Sequence, residues 1–180
     1  MSYFERTDIR QEAKATSGGL QPLNGTLGRL VQLGFVVRDL DEAIKRFTQT
    51  MGIGNWKCYT IVPPVLHSRK YLGEEGLFSM RVAISTDAAA GVDYELIEPL
   101  TGPSIYKDFL NSHGEGLQHL GYERIASFDD TLKAFQEKGV KPVMQGQWGE
   151  IRFAYLNTND RLGTCIEFWE MPEGYVLPED

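Results

Sequence analysis

The sequence is poor in the residues that usually announce a function. Among 180 residues there are 2 cysteines and 3 histidines, and no apolar run approaches the ~20 residues a helix needs to cross a bilayer. Cys58 and Cys165 lie far apart without CxxC spacing, which excludes a thioredoxin-like motif and a cysteine-rich zinc site. They are expected as reduced thiols, with a single disulfide left open. Basic residues are also scarce: 18 Lys and Arg against 25 Asp and Glu give a formal charge of −7, opposite to the basic stripe of a nucleic-acid binder. The polar start, MSYFERTDIRQEAKA, lacks the apolar stretch of a signal peptide, so a cytoplasmic location is expected, with no membrane partner. What is present is ordinary for a globular chain: 42% hydrophobic residues, enough for one domain or for two small units sharing a core.

Residues 1–28 are polar and broken by Ser17-Gly18-Gly19 and by a Pro22-Leu23-Asn24-Gly25 turn signal, and are read as an N-terminal arm. From there the hydrophobic pattern predicts strand 30–37, a helix from Leu40 to Gly52 capped by Asp39, and strands 56–62, 78–85 and 92–97. A helix over 104–112 follows. The order then restarts with strand 117–125, helix 128–138 opened by Ser127, and strands 141–148, 150–157 and 164–170. The tail, 172–180, reads as irregular.

The restart is a repeat. Gln32-Leu-Gly-Phe35 matches His119-Leu-Gly-Tyr122, the helix Leu40–Phe47 matches Phe128–Phe135, and Tyr94-Glu-Leu-Ile-Glu98 matches Ile166-Glu-Phe-Trp-Glu170. Two βαβββ modules, 29–100 and 115–171, are thus joined by a linker helix, 101–114, within a single domain over 29–171. Such units bury their sheets only against one another, which predicts an α+β fold in which the tandem modules form a curved mixed-sheet barrel of eight strands. Between its matched positions the first module is longer by 15 residues, around the loop 63–76, which is therefore expected to act as a lid or substrate-contacting segment.

The repeat sets Gln32, Glu95, His119 and Glu167 at corresponding places. Residues two apart on a strand share a face, so each of Gln32 and His119 is followed by a bare glycine position, Gly34 or Gly121, leaving room between the sheets. Glu95 and Glu167 sit mid-strand between apolar neighbours, where an unpaired carboxylate is costly to bury. Taken singly, a strand Glu or Gln more often faces solvent, and a lone His is more often a satisfied core residue. Their matched placement points instead to a shared cation: one divalent metal ion, Zn, Ni, Co, Mn or Fe, less readily Mg, held by Gln32, Glu95, His119 and Glu167. Glu98 and Glu170 fall on the opposite face and are expected to be solvated.

These residues carry a resemblance. The stretches Tyr94-Glu-Leu-Ile-Glu-Pro-Leu100, Gly114-Glu-Gly-Leu-Gln-His-Leu-Gly121 and Gly163-Thr-Cys-Ile-Glu167 resemble the vicinal oxygen chelate superfamily, which includes glyoxalase I, methylmalonyl-CoA epimerase, extradiol dioxygenases and the fosfomycin and bleomycin resistance proteins. The likeness covers 29–171 and is greatest to the epimerase-like branch. It implies that the ligands lie on the first and last strands of each module, again Gln32, Glu95, His119 and Glu167. Epimerases usually have His where Gln32 stands and often Gln where Glu95 stands; the set here is like that of animal glyoxalase I. Where epimerases carry an additional acid–base Glu, this chain has Arg81.

The resemblance implies a metal-dependent isomerase or lyase acting on a small molecule with two adjacent oxygens. In that chemistry the substrate chelates the metal, and the cation stabilises an enolate formed next to a carbonyl. Glu167 is then expected as the principal acid–base group and Glu95 as its partner. Two alternatives stand beside this reading: a non-catalytic small-molecule binder of the resistance type, and an Fe-dependent ring-cleaving dioxygenase, which would use two His and one carboxylate. A homodimer is expected from the resemblance alone. His67 and Arg69 are candidates for an anionic substrate group or for solvated loop residues. Trp148, Phe153 and Trp169 either line the cavity or pack in the core or at a subunit interface, and His113 is expected to be exposed.

Overall fold

The structure, a computed structural model, describes residues 27–86, 91–123 and 127–175. The expected N-terminal arm therefore lies outside the described residues except for its last two, as do residues 176–180 of the tail. Along the chain run β1 (Arg29–Val36), α1 (Leu40–Met51), β2 (Trp56–Ile61), β3 (Leu66–Tyr71), β4 (Glu74–Glu75), β5 (Met80–Ser85), β6 (Asp93–Pro99), α2 (Ile105–Ser112), β7 (Gly116–Glu123), α3 (Phe128–Glu137), β8 (Pro142–Trp148), β9 (Ile151–Leu156), α4 (Asn159–Leu162) and β10 (Cys165–Glu170).

The helix boundaries follow from local chemistry. Asp39 is extended, and its Oδ1 accepts from the Glu42 amide at 3.0 Å. At the other end of α1 Gly52 takes the left-handed conformation, φ 73°, which closes the last turn at little steric cost. Ser127 caps α3 in the same manner as Asp39 caps α1, through the Asp130 amide. Each such cap contributes about 1 kcal/mol.

All ten strands join one curled mixed sheet, a half-barrel, in the order β2-β5-β6-β1-β7-β10-β9-β8-β3-β4. The block β2-β5-β6-β1 is answered in reverse by β7-β10-β9-β8, and the two blocks meet where β1 pairs antiparallel with β7. Helices α1 and α3 cover the outer face. Alternation on β5 and β9 puts Ala83 and Ala154 under them, and the small side chains let Leu40 and Ala43 of α1, and Phe128 and Phe135 of α3, approach the sheet closely. The inner face carries the largest core cluster, including Ile61, Met80, Val82, Ile97, Phe153 and Tyr155.

Two expectations are corrected. The 63–76 segment is not a lid: it forms the ribbon β3–β4, whose first strand pairs with the outer edge of β8 in the second module. Leu66 faces Trp148 in that pairing, and Tyr59 of β2 packs against the Trp148 ring at 4.9 Å between centroids. The longer module thus reaches across the open side of the half-barrel and adds two strands to the expected eight. Glu98 and Glu170 are not simply solvated either. Glu98 accepts from the first amide of α1, at Leu40, and pairs with Arg81 at 2.9 Å, while Arg81 also reaches Asp41. Glu170 accepts from the first amide of α3, at Phe128, and pairs with Arg152, which reaches Asp129. Both carboxylates answer the positive end of a helix with an amide and an arginine, so the repeat extends to a structural ion-pair clasp in each module.

Candidate metal centre

The four central strands set the site by register alone. Across β6, β1 and β7 one row reads Glu95, Gly34, His119; across β1, β7 and β10 the next reads Gln32, Gly121, Glu167. Each row is therefore an acid and a nitrogen- or oxygen-donor side chain with a glycine between them. The glycines are spaces, but not for a ligand. A Cβ on Gly34 would lie 1.8 Å from Cε1 of His119 and 2.0 Å from its Nε2; one on Gly121 would lie 2.8 Å from Oε1 of Gln32. The room expected beside each polar residue is thus occupied by the other module's polar side chain.

The four side chains converge. His119 Nε2 lies 3.1 Å from Glu167 Oε2 and 3.3 Å from Glu95 Oε2, and the ligand atoms of these three groups all lie within 4.8 Å of one another. His119 is fully buried, and Gln32 and Glu167 are 7% and 6% exposed. Their inward atoms, Gln32 Oε1, Glu95 Oε2, His119 Nε2 and Glu167 Oε2, are buried and make no hydrogen bond of acceptable geometry. Buried polar atoms are nearly always hydrogen-bonded, so four inward atoms without a hydrogen bond, three of them within 4.8 Å of one another, point to a missing shared partner, and the donor set suits a divalent cation.

Neighbouring groups hold the set in place. Gln118 is the extra residue of a β-bulge between β7 and β1, and its Oε1 lies 2.9 Å from His119 Nδ1. A proton on Nδ1 donated to that oxygen leaves Nε2 free to coordinate. Burial lowers the His119 pKa, but the charges of Glu167 and then Glu95 outweigh it and push the imidazole up to about 9, so without a cation the ring itself serves as counter-charge. Burial raises the Glu95 carboxyl above its ordinary range; His119 opposes this, while Glu167 and Asp93 add to it. On the inner wall the Tyr106 hydroxyl donates to Tyr155 at 2.7 Å, and burial, then the charge of Glu167, raise the Tyr155 phenol well above its usual range.

A cavity of about 230 Å³ opens beside these residues, with Gln32, Glu95 and Glu167 in its wall together with Trp148, Phe153 and Trp169. Residues 31–155 match the Glyoxalase/Bleomycin resistance protein/Dioxygenase superfamily. The chain belongs to that superfamily. Among curated proteins, the Bacillus subtilis (strain 168) "Uncharacterized protein YqjC" is 24% identical over 152 residues, 82% of this chain and 95% of that one. Among solved structures, methylmalonyl-CoA epimerase from Mycobacterium tuberculosis superposes with a TM-score of 0.59 at 22% identity, covering 86% of this chain and 94% of that chain. A Streptomyces coelicolor methylmalonyl-CoA epimerase variant in complex with 2-nitronate-propionyl-CoA gives 0.53 at 22% identity, over 79% and 96%. At these identities the likeness is one of fold.

Glu95, His119 and Glu167 come together, with Gln32 in the same cavity wall, and Trp148, Phe153 and Trp169, for which the letters left cavity and core both open, line the cavity. His67 and Arg69 do not reach it. His67 Nε2 contacts the Gly149 carbonyl at 3.1 Å, and Arg69 donates to the Phe78 carbonyl at 2.7 Å, so both serve the β3–β4 ribbon. His113 is exposed and stacks on Phe109. Cys58 and Cys165 form no disulfide with one another. Sequence reasoning missed Tyr106, Tyr155, Gln118 and Asp93. Asp93 was findable, standing two residues before Glu95 on the same face. Gln118 was not, because regular alternation would turn it away from its neighbour.

Proposed function

We propose that this superfamily member is a metal-dependent isomerase or lyase that moves a proton next to a carbonyl in a small molecule with two adjacent oxygens. Support for the reading comes from the four buried, unpartnered atoms of Gln32, Glu95, His119 and Glu167 in the wall of an apolar cavity. Gln32, Glu95, His119 and Glu167 would hold the ion. A divalent cation there would draw charge from the carbonyl of a chelating substrate and acidify the adjacent carbon.

The remaining roles fall to the chain. Glu167 takes the proton: it is buried, faces the cavity and has Tyr155 beside it, itself positioned by Tyr106. Glu95, from the other module, returns it. Burial raises its carboxyl above the ordinary range, which favours the protonated form. Trp148, Phe153 and Trp169 shed water from the cavity, which strengthens every charge interaction inside it. A dioxygenase is less well supported, since one imidazole, not two, faces the centre. A purely binding role leaves Glu95 and Glu167 with no task beyond holding the ion.

The test is exchange of α-protons in deuterated water, followed by NMR over a panel of 2-oxo and 2-hydroxy carbonyl compounds. Exchange is expected to require a divalent metal, to stop with a chelator, and to fall by about 10²–10⁴ in Glu167→Gln. Exchange retained in Glu167→Gln would overturn the choice of base. Purified protein that takes up no divalent metal on elemental analysis would overturn the reading as a whole.

A further inference from the structure

The wall of the cavity has a charge pattern that limits its guest, a deduction that rests on the reading just given. Four carboxylates line it, Asp93, Glu95, Glu123 and Glu167, and among the described lining residues none is Lys or Arg, although the chain has 18 of them. Gln32 and Glu167, each more than nine-tenths buried, aim an unpartnered oxygen inward. The remaining wall is mostly apolar and aromatic. Arg29 stands at the rim, but its Nη2 is bound to Glu123 at 2.8 Å and its side chain is 68% exposed, so it answers an acid already present. One divalent ion would offset two of the carboxylates and Arg29 a third. That leaves one carboxylate in excess even though Arg29 also acts on Asp93, and Asp93 stands in the row next to Gln32, immediately beside the centre.

An entering carboxylate or phosphate would add another negative charge beside Asp93, with no Lys or Arg among the described lining residues to meet it. Between unit charges several ångströms apart at an effective dielectric of ~20, repulsion is worth an order of magnitude or more in binding. The space beside the centre is also small, about 230 Å³, and opens to solvent on one side. We infer that the cavity takes a compact guest without an anionic group, which turns two adjacent oxygens to the centre and an apolar or aromatic flank to Trp148, Phe153 and Trp169. An α-hydroxy ketone or α-hydroxy amide has this chemistry; an α-keto acid does not.

Mandelamide and mandelate nearly share a shape and differ in charge, which makes them suitable probes. Full-length protein, either loaded with Zn²⁺ or stripped with a chelator, is titrated with each while quenching of tryptophan fluorescence is followed. In the stripped protein mandelamide is expected to bind at least tenfold more tightly than mandelate. Asp93→Asn should narrow that gap three- to tenfold by strengthening mandelate more than mandelamide. Equal or tighter binding of mandelate by stripped wild type would overturn the inference whatever the variant does, as would a ratio unmoved in a folded Asp93→Asn. Quenching by neither probe at millimolar concentration would also overturn it. Failure to take up Zn²⁺ with the charge preference intact would instead sink the metal-dependent function and leave the character of the cavity standing.

Discussion

The two modules share their scaffold and differ in their contents. Arg81, Glu98 and Asp41 in the first are matched by Arg152, Glu170 and Asp129 in the second, and Gly34 by Gly121. Yet the first supplies a carboxamide where the second supplies an imidazole, and where the first has Asp93 the second has the buried thiol Cys165, which faces His119 in the sheet. Duplication built a symmetrical frame, and departures from symmetry include the side chains facing the cavity, the β3–β4 ribbon and the short helix α4 between β9 and β10. Groups that hold the sheet and helices together must satisfy the same geometry twice; groups around a single ion and a single guest need not.

The largest effect should come from breaking the glycines. Gly34→Ala drives a methyl into the imidazole of His119, a rigid ring that is fully buried, whereas Gly121→Ala meets Gln32 and the edge of Trp169, both 2.8 Å away. The first is expected to cost at least ~3 kcal/mol and the second about 1–2 kcal/mol by urea denaturation, because the overlap at Gly34, 1.8 Å, is much deeper than the 2.8 Å at Gly121. Equal losses would show that the rows are looser than they stand.

The donor pair comes next. His119→Ala should abolish metal uptake, and Gln32→Ala should weaken it about tenfold, read by competition with a chromophoric chelator. The two also differ in titration, since only the imidazole can take a proton. In stripped protein the folded-state pKa of His119, about 9, lies above the unfolded value near 6.5. Its contribution is therefore complete below about pH 6.5 and disappears as pH rises through 9, a loss on the order of 2 kcal/mol. Metal-loaded protein should not show this decline, because coordination requires the unprotonated nitrogen. A stripped protein equally stable at pH 6.5 and 9 would remove the ring from between the two carboxylates.

Much of this was legible in the letters, for a physical reason. Strand alternation and helix periodicity repeat with the duplication, so Gln32 and His119, and Glu95 and Glu167, identify each other before any coordinates exist. What was not legible depends on departures from regularity or on contacts between distant segments. The bulge that turns Gln118 toward His119 breaks the alternation on which the reading relied. The 63–76 segment carries turn signals at both ends and its pairing partner is eighty residues downstream in β8, so its strands look like loop until the barrel curls. Glu98 and Glu170 were correctly placed on the outer face. Their partners, the first amides of α1 and α3, could be known only from where the helices pack.

That clasp provides the smallest and finest comparison of the modules. Glu98 and its Arg81 are 20% and 31% exposed, and the first amide of α1 bonds to it at 3.2 Å; Glu170 and Arg152 are 44% and 35% exposed, with the amide at 3.4 Å. Water screens the second pair more, and Arg152 keeps an alternative hold through the Phe128 ring, 4.1 Å from its guanidinium carbon. Glu98→Ala should therefore destabilise by about 1–2 kcal/mol and Glu170→Ala by about 0.5–1 kcal/mol. Both losses should shrink in high salt, the second more completely, because its charges lie nearer the solvent. If the two substitutions cost the same at every ionic strength, exposure is not what separates the clasps, and the contribution of each carboxylate resides in the helix amide that both share.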